Sequence, residues 1–133
     1  MNYRIVDSTD EMAVEDIVRL LKATYWAGSR SPETIEKSVR NSACYGVLVD
    51  GAEHLAGFAR VISDHATTWY LCDVVIDPAY QRRGLGKALV SHIVSLPEYA
   101  GLRGMLLTKD AHGLYEQFGF RSVEGKFMSR PPG

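Results

Sequence analysis

Cysteine is nearly absent from this chain: Cys44 and Cys72 are the two among 133 residues. Both fall in apolar, strand-like runs, which suits buried free thiols better than a disulfide framework. There is no Cys-x-x-Cys pair and no cysteine–histidine ligand spacing, so no metal site is expected. A dominant charge sign is missing as well. Lysine and arginine number 15 against 16 acidic residues, a net charge of −1, which argues against a nucleic-acid or other polyanion partner. No apolar run approaches the ~20 residues of a membrane span, and no charged-then-apolar leader precedes the first acidic stretch. A cytoplasmic protein with no membrane partner is the expectation. Repeats, linkers and low-complexity tracts are also lacking. Residues 1–133 therefore read as one domain, with a Pro-Pro-Gly tail from about 129 expected to fray. Hydrophobic residues make up 46%, enough for a core without disulfide or metal staples.

The elements follow from periodicity and punctuation. Tyr3–Val6 reads as a short strand. Ser8 and Glu11 have capping-box spacing, and Met12, Ile17, Leu20 and Leu21 then recur at helical intervals through about Lys22. Ser31-Pro32 starts a second helix with Ile35 and Val39 on its buried face. Tyr45, Val47 and Val49 alternate up to Asp50-Gly51, a hairpin signal. Leu55–Ser63 is the returning strand and Thr67–Ile76 the next. Leu85, Ala88, Leu89, Ile93 and Leu96 define a helix face ended by Pro97. Gly104–Thr108 is wholly apolar and reads as a strand buried on both faces. His112–Phe118 is a helix closed by Gly119, and the remainder to Met128 reads as a last hairpin. The crossover from the 67–76 strand through the 84–96 helix makes the 104–108 strand parallel to it. The fold class expected is α/β with a central mixed sheet flanked by helices on both faces.

Asp73 to Leu89 is the most informative segment. A buried strand and Pro78 lead into Gln81-Arg82-Arg83-Gly84-Leu85-Gly86-Lys87, a basic glycine loop opening a helix. Glycines let a ligand approach the backbone, and a helix start offers unpaired N–H groups and partial positive charge to an anion. Cations at a helix start oppose its dipole, so Arg82, Arg83 and Lys87 point to a bound anion rather than to a solvated basic turn. A P-loop is excluded, because Gln81 and Ala88 occupy its first-glycine and hydroxyl positions. A dinucleotide fingerprint counted from Gly84 fails at Leu89.

Gln81-Arg82-Arg83-Gly84-Leu85-Gly86 is similar to the Gln/Arg-x-x-Gly-x-Gly/Ala signature of the GNAT superfamily of N-acetyltransferases. Val74-Val75-Ile76-Asp77-Pro78 resembles the strand before it, and Leu114-Tyr115-Glu116-Gln117-Phe118-Gly119-Phe120 the Leu-Tyr-x-x-x-Gly-Phe element after it. The element order over residues 1–128 resembles that fold too, in its small single-domain form. The resemblance implies acetyl-CoA as co-substrate, its pantetheine arm along Val74, Val75 and Ile76 in the manner of an added strand. Its pyrophosphate would lie over the amides from Arg82 to Lys87. It also implies transfer to an amine by direct attack in a ternary complex, with most of the rate from holding the reactants together. No covalent enzyme intermediate is then needed, so neither cysteine need be a nucleophile.

Tyr115 matches the tyrosine that protonates the departing thiolate, a step chemically open to a phenol of pKa ~10 beside a thiol of ~8.5. The alternative is a core tyrosine packed beside Phe118 and Phe120. Many relatives carry an asparagine seven residues before that tyrosine, contacting pantetheine; Thr108 stands there and would offer its hydroxyl. Asp73, in apolar surroundings, is a candidate to accept the amine's proton or hold the amine, with burial raising its pKa. It reads equally as a structural aspartate paired with an arginine such as Arg60. Glu116, Asp64 and His65 are weaker candidates, the last two at a turn that could rim the cleft. Tyr25, Trp26, Ser29 and Arg30 fall in the loop that lines the acceptor cleft in the family; Trp26 reads equally as a core cap, and Arg30 as a binder of an acceptor carboxylate or as a surface arginine, the commoner case. A small-molecule amine is the expected acceptor. A protein or peptide amine, and a non-catalytic acyl-CoA-binding module, are the alternatives, and a homodimer stays open as the assembly.

Overall fold

Five strands pair in chain order into a single sheet: β1 (Tyr3–Val6), β2 (Ala43–Val49), β3 (Gly57–Ser63), β4 (Thr68–Ile76) and β5 (Arg103–Leu106). The computed structural model describes residues 1–132. The first four strands are antiparallel neighbours and β4 pairs β5 in parallel, as a helical crossover between them requires. The helices are α1 (Val14–Lys22), α2 (Pro32–Arg40), α3 (Leu85–Val94) and α4 (His112–Glu116).

Strand alternation sorts the apolar residues into two cores, one on each face of the sheet. Ile17, Leu20 and Leu21 of α1 and Ile35 of α2 pack against Cys44 and Phe58. On the opposite face Leu85, Leu89, Val90 and Ile93 of α3 pack against Tyr45, Val47, Val61 and Leu71, with Tyr115 of α4 in the same cluster. Helices on both faces of a mixed sheet are the expected fold class.

Three details depart from the sequence reading. Ser8 does not cap α1; its hydroxyl accepts from the Asp10 N–H at 3.1 Å and starts a single 3₁₀ turn over Thr9–Glu11, so α1 begins later, at Val14. β5 is exposed on one face, with Met105 44% accessible, because no residue of β5 joins the cluster that α1 and α2 form on that side of the sheet. The expected last hairpin is not formed: residues 120–132 carry no strand. From Arg121 onward every described residue is exposed, and a hairpin with no face to bury has little to hold it. Of the tail expected to fray, Gly133 lies outside the described residues.

Candidate active site

β4 and β5 run together only as far as Leu71 and Leu106. Beyond that point β4 continues to Ile76, paired with β3 alone, while the chain after β5 turns away towards α4. Cys72–Ile76 therefore presents one strand edge with no partner among the described residues. A bulge sits at the parting point: Phe58 pairs with Val75 and Arg60 with Cys72, so Asp73 and Val74 share one partner position. Asp73 has φ +57, left-handed backbone that aspartate tolerates better than β-branched residues. The bulge changes which way β4 displays its side chains.

The Asp73 carboxylate is almost sealed from solvent, at 5% residue exposure, and it accepts three hydrogen bonds. Trp26 Nε1 donates to Oδ1 at 2.9 Å, Arg30 Nη1 to Oδ2 at 2.8 Å, and Arg60 Nε to Oδ2 at 2.6 Å. Arg60 also donates to the Ser42 hydroxyl at 3.1 Å. Burial alone would push the Asp73 carboxyl up, but the bonds and charges of the two guanidiniums outweigh it and hold the group below the ordinary carboxylate range. This corrects the expectation that burial would raise Asp73 into the range of a general base. An ionised carboxylate clasped by two arginines is a weak proton acceptor; of its two readings, the arginine-paired structural one is what the structure contains.

A cavity of about 600 Å³ opens beside this cluster. It brings together Tyr25, Trp26, Arg30, Asp73, Val74, Thr108 and Tyr115 from four separate segments. Trp26 keeps 40% exposure, so it walls the cavity rather than capping a core. Tyr25 packs edge-on against Trp26 at 5.0 Å, and Lys109 Nζ lies 5.4 Å from the Tyr25 ring. The loop after α1 and the loop after β5 thus touch across the cavity. Tyr115 is 8% exposed; burial, then the Asp110 charge, pushes its phenol above the ordinary tyrosine value, so it remains protonated. Among the described residues its hydroxyl has no protein hydrogen-bond partner. Thr108 Oγ1 accepts from the Ala111 N–H at 2.9 Å, which leaves its own O–H to donate.

Some expected site residues lie elsewhere. Ser29, Asp64 and His65 do not line the cavity. Asp64 is spent on its own turn, accepting from the Ala66, Thr67 and Thr68 amides and the Thr67 hydroxyl, and these bonds lower its pKa. Glu116 lines a second hollow of about 930 Å³ under β5. Val75 packs towards α1 and α2, whereas Val74 and Ile76 face α3. Tyr70 and Lys109 line the cavity without any sequence signal. Arg60 lines it too; the sequence offered it only as a partner for Asp73, the role it fills at 2.6 Å. Cys72 also lines the cavity. Burial pushes both thiols, Cys44 and Cys72, up to about 11, so each stays protonated and is a poor nucleophile at neutral pH.

The basic loop lies outside this cavity, at the far end of the open strand edge. Gln81 Nε2 donates to the Ile76 carbonyl at 3.0 Å, tying the loop to β4. Arg82 and Gly84 have φ +65 and +80, and Gly84 caps α3. The first intrahelical bond runs from Ala88 N–H to the Gly84 carbonyl, so the amides of Leu85, Gly86 and Lys87 have no partner within the helix. A Cβ at Gly86 would meet just the Ile76 side chain, at 3.7 Å. Protein packing does not require glycine there, although glycine inside a helix costs up to ~1 kcal/mol relative to alanine. The space above Gly86 is open to an anion, and Leu85, Arg82, Arg83 and Lys87 surround it in sequence.

A family model described as acetyltransferase (GNAT) family matches residues 13–120, which include the strand, the loop and Tyr115. The chain belongs to the GNAT acetyltransferase family. A structure from Xanthomonas campestris pv. campestris, of a protein belonging to the same family, is 34% identical with a TM-score of 0.91, covering 99% of this chain and 94% of that one. The [ribosomal protein bS18]-alanine N-acetyltransferase of Escherichia coli is 38% identical over 76 residues, 52% of this chain and 49% of its own length. Its crystal structure superposes with a TM-score of 0.73 over 92% of this chain. The histone acetyltransferase TAP1 of Glycine max is 33% identical over 96 residues, 68% of this chain and 41% of its own length. The chain thus spans less than half the length of these two curated relatives. No helix among the described residues is long and apolar enough to cross a membrane. GNAT proteins use acetyl-CoA, and the open β4 edge and the room above Gly86 fit such a co-substrate.

Proposed function

We propose that this GNAT protein transfers the acetyl group of acetyl-CoA to a small-molecule amine by direct attack. The observation that carries this reading is the parting of β4 from β5, with the Tyr115 phenol in the gap. The backbone of Val74, Val75 and Ile76 would pair with the pantetheine amides. The free amides at the start of α3, with Arg82, Arg83 and Lys87, would hold the pyrophosphate, and Gln81 would keep the loop against β4. The Thr108 hydroxyl would donate to pantetheine where many relatives have an asparagine. Acetyl-CoA supplies an activated thioester carbonyl. Transfer forms the amine N–C bond and breaks the C–S bond; the thiolate takes its proton from Tyr115, the attacking nitrogen releases one to water, and solvent returns a proton to the Tyr115 phenolate.

Asp73 holds Trp26 and Arg30 in place in this scheme and does not act as the base. The amine then enters neutral or loses its proton to water. The contact between Tyr25 and Lys109 across the cavity supports a small acceptor. The name of the E. coli relative favours a second reading, acetylation of a protein N-terminus, which needs that contact to open.

The test is Tyr115→Phe assayed by thiol release. Turnover is expected to fall at least ~10²-fold, while acetyl-CoA affinity changes less than about twofold. Unchanged turnover would remove Tyr115 from the chemistry.

A further inference from the structure

The acceptor cavity is built around more positive than negative charge. Its lining contains Arg30, Arg60 and Lys109 against Asp73 and Asp110. Asp73 cannot serve an incoming ammonium, because its side chain is 1% exposed and three donors already occupy it. Arg60 is nearly covered, at 11% side-chain exposure, and its Nε and Nη1 are used. Arg30 differs: it keeps 29% side-chain exposure on the cavity and spends Nη1 alone on Asp73. Among the described residues its Nε and Nη2 have no protein partner. A guanidinium pinned at one corner in a cavity wall, with donors to spare, is prepared to grip a planar anion.

We propose that Arg30 binds a carboxylate carried by the acceptor, so that the substrate is a free amino acid or a similarly compact amino carboxylate. This rests on the acetyltransferase reading above and narrows it. Asp73 fixes the guanidinium, and Asp73 directly precedes Val74 on β4. The residue that fixes the guanidinium is therefore the immediate neighbour of the edge assigned to pantetheine. That adjacency suits an acid and an amine close together in one molecule. The Trp26 and Tyr25 rings offer an apolar wall for the rest of it. A polyamine, cationic throughout, meets an excess of positive charge here and is disfavoured.

The experiment compares thiol release from acetyl-CoA with glycine, alanine, phenylalanine and glutamate, each against its amide and its decarboxylated amine. Each acid is expected to exceed its uncharged partner in kcat/KM by on the order of 10- to 100-fold, the scale of a charge-assisted bidentate contact. Arg30→Lys keeps a charge near Asp73 but loses the fork, and it should bring the ratio to within about threefold of unity; Arg30→Ala should do the same. Amides or decarboxylated amines that react as well as the acids overturn the carboxylate seat and leave the acetyltransferase reading standing. If acetyl-CoA binds and no amine reacts, the proposed activity fails instead. Titration with N-acetylphenylalanine and its amide then reads the seat directly: tighter binding of the acid upholds it, and equal binding overturns it.

Discussion

Asp73 shows how burial can move a residue in the direction opposite to first expectation. A carboxyl in an apolar strand is expected to rise in pKa, and desolvation does act that way here. Arg60 and Arg30 reverse the result because their charges lie within hydrogen-bond distance. Replacing the charge with Asp73→Asn would leave two guanidiniums facing each other, at a cost of about 3 kcal/mol. The pH dependence has a definite sign. A folded-state pKa below the unfolded ~3.9 adds stability above that pH, and the contribution is lost as pH falls through the depressed value. Urea melts of wild type and Asp73→Asn should differ fully at pH 7 and converge as pH drops below about 4. A gap that stays constant to pH 3 would contradict the ionised clasp. Tyr115 could be singled out in the sequence because its motif is local, and the structure puts it in the cavity wall. Arg60 was already a candidate partner of Asp73; Trp26 and Arg30 were not, since they lie 47 and 43 residues away and nothing in their neighbourhood encodes that contact.

Secondary-structure elements divide by how local their causes are. The start of α3 was readable because glycine, the basic residues and the apolar spacing are all contiguous. Its function is tested by Gly86→Val. The nearest atom to an added Cβ is the Ile76 side chain at 3.7 Å, so the fold should tolerate the change, while the side chain would occupy the open space over the free amides. Acetyl-CoA affinity is expected to fall at least ~10-fold by titration calorimetry, with thermal stability within a few degrees of wild type. A normal titration would remove the loop from the donor site. β5 was misread in one respect. Its apolar composition suggested burial on both faces, yet an apolar run does not report whether a helix packs over each face, and α1 and α2 leave one face of β5 uncovered. Its one tight constraint is Gly104, where a Cβ would stand 2.6 Å from the Trp69 ring. The bulge in β4 was likewise not readable, since strand residues on either side alternate normally and the slip arises from pairing with β3.

At the scale of the whole molecule, the site is the place where a sheet stops being continuous. The basic loop, the open strand edge and the cavity are strung along β4, so one extended ligand could touch all three, as the proposed function requires. Binding there should stabilise the whole domain by mass action. Acetyl-CoA at 100 times its Kd adds about 2.7 kcal/mol, or roughly 10 °C in Tm for a domain of this size. Differential scanning fluorimetry should show that rise in wild type and at most about half of it in Gly86→Val at the same concentration. No rise in wild type would argue against acetyl-CoA binding.

The order of strands and helices and the two-faced sheet were legible in the sequence, because motif spacing and apolar periodicity are short-range properties of the chain, and the proposed donor half rests on the same contiguous signals. The proposed acceptor half depended on folding. Arg30 and Trp26 after α1, Asp73 on β4 and Lys109 after β5 acquire their chemistry from contacts dozens of residues apart, and a charge has no defined partner, and so no defined pKa, until those contacts exist.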